Sequence, residues 1–227
     1  MTTPVSRRRP RPQRVPGALQ QRPWKQFTLP YRPIEVLSAD QVEAIHATGL
    51  TILEEIGMRV LEPKARALYA SAGASVDESE LRVRFDRAMI AELVAKAPAE
   101  FSLRARNPAR NVRVGNRHAI FSSVGGPAYV SDLERGRRAG TYAEMCDYLK
   151  LIQSLDILHQ EGGGPFEPLD LPAETRHLDL YYAEITLLDK NWQPQGLGAD
   201  RAIDALEMAA ISFGTTREGL IDDPVFT

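Results

Sequence analysis

The residues best suited to chemistry in this chain of 227 residues are polar side chains that follow three short apolar segments. The candidate substrate-binding residues are Ser123, His159, Glu161, Gln193 and Gln195. Their hydroxyl, imidazole, carboxylate and amide groups can orient a polar or charged small molecule by hydrogen bonds and charge. The solvated ends of strands would give the same pattern, so both interpretations stay open. No residue is assigned a catalytic role.

Motifs for a dedicated metal site or for nucleophilic catalysis are not found in the sequence. The four histidines lack the His-x-His, His-Glu-x-x-His and Cys/His spacings of metal ligands. Glu174 and His177 have the spacing of a di-iron helix, but no second copy of the pair occurs. No Gly-x-Ser-x-Gly elbow occurs, and Cys146 lies within a predicted helix. We therefore predict that the chain holds no metal.

Two glycine-rich loops, one at Gly125 and Gly126 and one at Gly162–Gly164, follow the first two apolar segments. Backbone amides in such loops can bind a phosphate group. However, neither loop has a Gly-x-Gly-x-x-Gly or Walker A sequence, and each precedes a proline that lacks an amide proton. This pattern favours tight turns at strand ends over a phosphate site.

Helical patterns separate the apolar segments. One helix is predicted to begin at a capping box formed by Thr141 and Glu144. The next is predicted to begin at Pro172 and to bury Leu178, Tyr181, Tyr182, Ile185 and Leu188.

The repeat of apolar segment, loop and helix is regular. Ile120 and Ile157 are 37 residues apart, and Gly162 and Gly196 are 34 residues apart. A strand, a loop and a helix repeated at this distance are typical of a parallel α/β sheet. Ligands of such sheets bind where the strands end, so we expect the candidate residues to lie together. Residues 116–227 hold about three such units, whose strands would either close into a barrel or form an open doubly wound sheet. A βα barrel needs eight units, so a barrel would be incomplete in this chain.

Residues 37–115 have a different pattern, which predicts a small α+β region. Ser38 and Gln41 form a capping box that starts a helix, and Gly57 ends this helix. A second helix is predicted from Pro63, a strand around residues 81–85, and a third helix capped by Asp86.

Residues 1–36 are predicted to form a disordered basic tail. The first 33 residues contain eight basic side chains, no acidic ones and seven of the 16 prolines. The remaining residues carry 20 basic against 30 acidic side chains. A basic tail can contact nucleic acid, but no nucleic-acid recognition motif follows it, so a solvated or loosely packed tail is favoured. The single Cys146 and the lack of an apolar run of about 18 residues favour a cytoplasmic protein without a membrane span.

Seven weak motifs in a fixed order carry a resemblance to a known family. They are Leu37–Ile45, Ile52–Val60, Ala97–Pro98, Leu103–Pro108, Gly125–Asp132, Leu178–Tyr182 and Asp189–Lys190. Together, across residues 37–227, they resemble the trimethylamine methyltransferase family, the corrinoid-dependent methyltransferases of tertiary and quaternary amines.

The resemblance implies that residues 116–227 are the N-terminal part of a (β/α)8 TIM barrel in a longer enzyme, and that this chain alone is inactive. Such an enzyme would move a methyl group from a methylated amine to the cobalt of a corrinoid held by a separate protein. One group in the family uses a pyrrolysine later in the barrel for trimethylamine, whereas relatives without it take substrates such as glycine betaine. The choice between these amines stays open, as does assembly into a homo-oligomer.

Two other classes of function remain open from the residues alone. One is a different TIM-barrel enzyme, a lyase or an isomerase, built on the same repeat. The other is a non-catalytic binding protein whose basic tail recruits an acidic partner.

Overall fold

The computed structural model describes residues 20–126 and 129–226, which form a mixed α/β structure. The strands are β1 (Phe27–Thr28), β2 (Met58–Arg59), β3 (Ser75–Asp77), β4 (Arg82–Arg84), β5 (Glu100–Leu103), β6 (Val112–Gly115), β7 (His118–Ala119), β8 (Val130–Asp132) and β9 (Gly136–Arg138). The α-helices are α1 (Ala39–Thr51), α2 (Pro63–Ser71), α3 (Arg87–Ala95), α4 (Tyr142–Ser154), α5 (Arg176–Leu187), α6 (Ala199–Phe213) and α7 (Gly219–Asp222). A π-helical turn covers Ile52–Ile56, and a 3₁₀ turn covers Pro108–Arg110.

The chain divides into two compact units. Among the described residues, the smaller unit contains 28–101 and 115–117, and the larger contains 20–27, 102–114 and 118–226. Each unit has its own hydrophobic core.

The smaller unit confirms the local predictions made for its helices. The Ser38 side chain accepts a hydrogen bond from the amide of Gln41, whose own side chain accepts from the amide of Ser38. Gly57 ends the first helical stretch with φ of 73°, a conformation that favours glycine. Strands β2, β4 and β3 form an antiparallel sheet in which Val83 is fully buried.

The larger unit contains three chain segments that run parallel to one another. Ser122 pairs with Gln160, and Gln160 pairs with Asn191, each in a parallel bridge. The amide of Glu161 donates to the carbonyl of Asn191 at 2.9 Å. Their order and direction agree with the predicted repeat, but each predicted strand is reduced to a single bridge. The ladder of parallel bridges is short because a glycine-rich loop follows closely after each of the first two segments, and glycine weakens a strand.

Helices α4, α5 and α6 form the core of the larger unit. The predicted capping box of Thr141 and Glu144 begins α4, as expected. The buried side chains contributed by the three helices include Met145, Leu149, Ile152, Leu180, Tyr181, Ala205 and Ala209.

The predicted start and part of the predicted buried face of α5 were wrong. The helix begins at Arg176 rather than at Pro172, because residues 172–175 form a turn. Leu178 and Tyr182 were expected in the core, but they are 38% and 61% exposed. The stripe that faces the core instead contains His177, Leu180, Tyr181 and Glu184, which are three or four residues apart.

Residues 20–27 differ from the disordered tail expected over residues 1–36. The Gln21 side chain bonds the carbonyl of Ser154 and the amide of Asp156, both at 2.7 Å. The guanidinium of Arg110 lies 5.3 Å from the centre of the Trp24 ring. The arginine-rich residues 1–19, on which the nucleic-acid alternative depends, lie outside the described residues.

No helix in the described ranges combines the length and the apolar character that crossing a bilayer requires.

Replacing Gly162 tests the close approach between the first two parallel segments. A Cβ atom at this position would overlap the backbone carbonyl oxygen of Ser123. We expect Gly162→Ala to lower the free energy of unfolding by about 1–3 kcal/mol, because neither segment can move without breaking the bridge. Gly196→Ala is the matched control, since its Cβ atom would meet nothing within 4 Å. Equal urea denaturation midpoints for the two variants would contradict this packing.

Candidate functional site

A wide cavity of about 460 Å³ lies where the parallel segments end. Its lining comprises Gly125, Gly126, Gly162, Gly163, Glu167, Gln195, Gly196 and Leu197. This is the edge at which the repeat predicts a ligand site. The loop Gly162–Gly164, here called the glycine loop, contributes Gly162 and Gly163 to this lining.

The carboxylate of Glu161 holds the glycine loop from inside the protein. Glu161 is fully buried. Its Oε2 atom accepts the amide of Gly163 at 2.8 Å, and its Oε1 atom accepts the amide of Gly164 at 3.0 Å. The backbone amide of Gln193 also bonds this carboxylate. Several backbone amides therefore converge on a single side chain.

Ser123 connects the glycine loop to the preceding parallel segment. Its hydroxyl donates to Oε1 of Glu161 at 3.5 Å and accepts the amide of Gly162 at 3.0 Å. All three loop amides are therefore bound within the protein. This agrees with the predicted tight turn, because a phosphate group would need these donors.

Gln195 is the predicted site residue that directly lines the cavity. Its side-chain amide donates to the carbonyl of Gly163 at 3.3 Å. Ser123, Glu161, Gln193 and Gln195 are thus brought together around one loop, although they come from three separate segments of the sequence. Their contact with a substrate stays a prediction.

His159 is placed differently from the other four candidates. Its Nδ1 atom accepts the amide of Phe121 at 2.8 Å, and its Nε2 atom lies 3.2 Å from the carbonyl of Lys25. Burial lowers the pKa of His159, which favours the neutral ring. The ring stacks on Phe121 and contacts the edge of Trp24. The predicted contact of His159 with substrate has no support from this placement and stays a prediction.

Glu184 is a second buried acid beside Glu161 that the sequence analysis did not single out. It lies on α5 and is 2% exposed, and its Oε2 atom has no hydrogen-bond partner within the described residues. Burial raises the pKa of Glu184 well above its ordinary value, and the charge of Glu161 and a hydrogen bond with it add to the rise. The available signal was its spacing, because it continues the buried stripe of an amphipathic helix.

Of these two neighbouring acids, one is protonated and the other is ionised. Burial also raises the pKa of Glu161, but the amides of Gly163 and Gly164 oppose this rise. Among the described residues Glu184 has no comparable donors, so it carries the proton while Glu161 carries the charge.

A buried lysine lies at the start of the third parallel segment, directly before the bridge residue Asn191. The ammonium of Lys190 donates to the carbonyls of Ile152 and Leu155 at 2.7 and 2.8 Å. Burial lowers the pKa of Lys190 to about 8. Lys190 thus anchors the segment to the C-terminal turn of α4.

Within the described ranges, no group of three His, Cys, Asp or Glu side chains is arranged to hold a metal ion.

Comparison with known proteins gives consistent matches. The chain matches the family described as Trimethylamine methyltransferase (MTTB) over residues 5–227. It is 35% identical over 179 residues to the Glycine betaine methyltransferase of Desulfitobacterium hafniense (strain Y51), and this alignment covers 79% of this chain and 37% of that protein. It is 22% identical over 120 residues to the Trimethylamine methyltransferase MttB of Desulfitobacterium hafniense (strain DSM 10664 / DCB-2), and this alignment covers 52% of this chain and 24% of that protein. The chain therefore spans well under half the length of these relatives.

The buried acid pair predicts a pH-dependent effect of Glu184→Gln on stability. In the folded chain Glu184 keeps its proton, whereas in the unfolded chain it ionises near its ordinary pKa of 4.5. Raising the pH above that value therefore favours the unfolded state. The glutamine of the variant does not ionise, so its stability has no such dependence on pH. The free energy of unfolding of the variant minus that of the native chain should therefore increase from about pH 5 to about pH 8.

Urea denaturation at the two pH values measures this effect. Glu207→Gln serves as the surface control, since the side chain of Glu207 is 57% exposed. A difference between Glu184→Gln and the native chain that stays constant with pH would contradict a protonated Glu184.

Proposed function

The chain belongs to the trimethylamine methyltransferase family, and we propose that it is part of an enzyme that transfers a methyl group from a methylated amine to a corrinoid. The match over residues 5–227 carries this proposal. The relatives named above act, by their names, on glycine betaine and on trimethylamine. A tertiary or quaternary methylated amine is therefore the proposed substrate class.

The proposed architecture is the N-terminal part of a TIM barrel. Residues 116–227 would supply its first βα units, residues 37–115 an α+β region before it, and residues 1–36 a basic tail. The parallel bridges from Ser122 to Gln160 and from Gln160 to Asn191 support this arrangement, because adjacent barrel strands pair in this way. We place the enzyme in the cytoplasm, in keeping with its single cysteine.

The proposed partner is a separate corrinoid protein, whose reduced cobalt would accept the methyl group. The bond from the amine nitrogen to the methyl carbon breaks, and the electron pair stays on the departing amine. A quaternary amine leaves as a neutral tertiary amine, so no proton has to be supplied. A tertiary amine has to carry a proton on its nitrogen, as it does in neutral water, to leave as a neutral secondary amine. The task of the protein is then to hold the amine in line and to exclude water.

The residues around the glycine loop fit this task of positioning. A quaternary ammonium group has no N–H to donate, so it must be recognised by its charge and by contacts with its methyl groups. We propose that Gln195 contacts the substrate from the cavity wall, while Ser123 and Glu161 hold the loop beneath it. We propose that His159 stabilises the preceding segment by packing.

Methyl transfer tests the proposed function directly. The protein encoded by the intact gene would be mixed with a corrinoid protein in the Co(I) state and with trimethylamine, glycine betaine or choline. We expect the absorbance of methyl-Co(III) to appear with at least one of these amines. No methyl-Co(III) with any of them would refute the proposal.

A substitution at Gln195 tests the location of the substrate. We expect Gln195→Ala to raise KM for the active amine several-fold and to change kcat little, because a binding contact formed equally in the ground and transition states is lost. Lys150→Ala on the exposed face of α4 is the control. An unchanged KM in the Gln195 variant would place the substrate elsewhere.

A further inference from the structure

The glycine loop has the opposite polarity to a phosphate-binding loop. The amides of Gly163 and Gly164 point inward to the carboxylate of Glu161. Both peptide bonds are trans, so the carbonyls of Gly162 and Gly163 point the opposite way. The loop thus has its positive dipole ends on Glu161 and its negative ends directed away from it.

The side of the loop directed away from Glu161 borders the cavity. Gly162, Gly163 and Gln195 all line it, and the carbonyl of Gly163 is bonded there by the side chain of Gln195. A single layer of backbone therefore separates the buried carboxylate from the cavity. Because the peptide dipoles are aligned, the negative potential of the Glu161 carboxylate extends across this layer into the cavity.

We propose that Glu161 acts through the glycine loop as the counter-charge that makes the cavity selective for a cationic group, such as the quaternary ammonium of a methylated amine. The proposal rests on the substrate class of the proposed function. In this role Glu161 is a specificity-determining residue that does not touch the substrate.

The charges around the cavity support this role. The donors that contact Glu161 are backbone amides, a serine hydroxyl and the neutral carboxyl of Glu184, which stabilise its charge without cancelling it. Glu167 also lines the cavity, but it forms an ion pair with Arg176 at 3.2 Å. Glu184 holds the proton of the acid pair, so one negative charge remains at Glu161.

Two ligands of the same shape separate the effect of charge from that of structure. Choline and 3,3-dimethylbutan-1-ol differ in one atom, a cationic nitrogen in place of a neutral carbon. Binding of each to the full chain would be measured by calorimetry. We expect the native chain to bind choline about tenfold more tightly than the alcohol, because a unit charge across one backbone layer in a partly buried site has an effect of this order.

Glu161→Gln should abolish this preference. Choline should bind about tenfold more weakly to this variant, and the neutral alcohol should bind as before. Glu207→Gln removes the same charge from the exposed surface of α6 and should leave both affinities unchanged. Equal losses for the two ligands in Glu161→Gln would show a purely structural role and overturn the proposal.

The native chain keeps the proposal testable if Glu161→Gln fails to fold. Binding of neither ligand, or equal binding of both, would overturn it. So would displacement of choline by inorganic phosphate, since the loop would then be binding an anion. The two proposals can fail separately. Methyl transfer without a preference for choline over the alcohol would refute this inference alone. A preference for choline without methyl transfer would refute the proposed function alone.

Discussion

The interaction on which the larger unit depends is the set of hydrogen bonds between the Glu161 carboxylate and the glycine loop. Three consecutive glycines have many conformations available, and fixing them costs entropy. The amides of Gly163 and Gly164 and the hydroxyl of Ser123 offset this cost, because hydrogen bonds to a charged group in a buried site are strong. The loop therefore has one shape, and the cavity wall takes that shape.

A buried charge of this kind requires its surroundings to be arranged for it. Backbone amides replace the water that Glu161 loses on burial, and the neighbouring Glu184 remains neutral rather than adding a second charge. The raised pKa of Glu184 is thus a consequence of burial first, and then of the charge on Glu161. We expect the pair to reduce stability at neutral pH, because the folded chain keeps on Glu184 a proton that the unfolded chain releases.

Local structure was predictable because its causes lie within a few residues. Ser38 and Thr141 begin their helices through side chains that reach only three positions along the chain. The parallel order of the three segments also followed from their spacing, since a crossover helix needs that length. The buried face of α5 was less predictable, because leucine and tyrosine on both sides of the helix gave two plausible stripes. Packing against α4 and α6 selected the stripe that contains Glu184.

The sequence by itself determined most of the helix starts, the repeat, the family and four of the residues that meet at the glycine loop. The tertiary structure alone decided which way the loop amides point, that His159 is bonded to backbone on both sides, and that Glu161 lies beside Glu184. The contacts of His159 and the acid pair depend on segments more than 20 residues apart in the chain, and Ser123, which bonds the Glu161 carboxylate in the loop, lies 38 residues before it. Hydrogen-bond direction and shared protons are set by distances between such segments, and periodicity along the sequence contains no information about those distances.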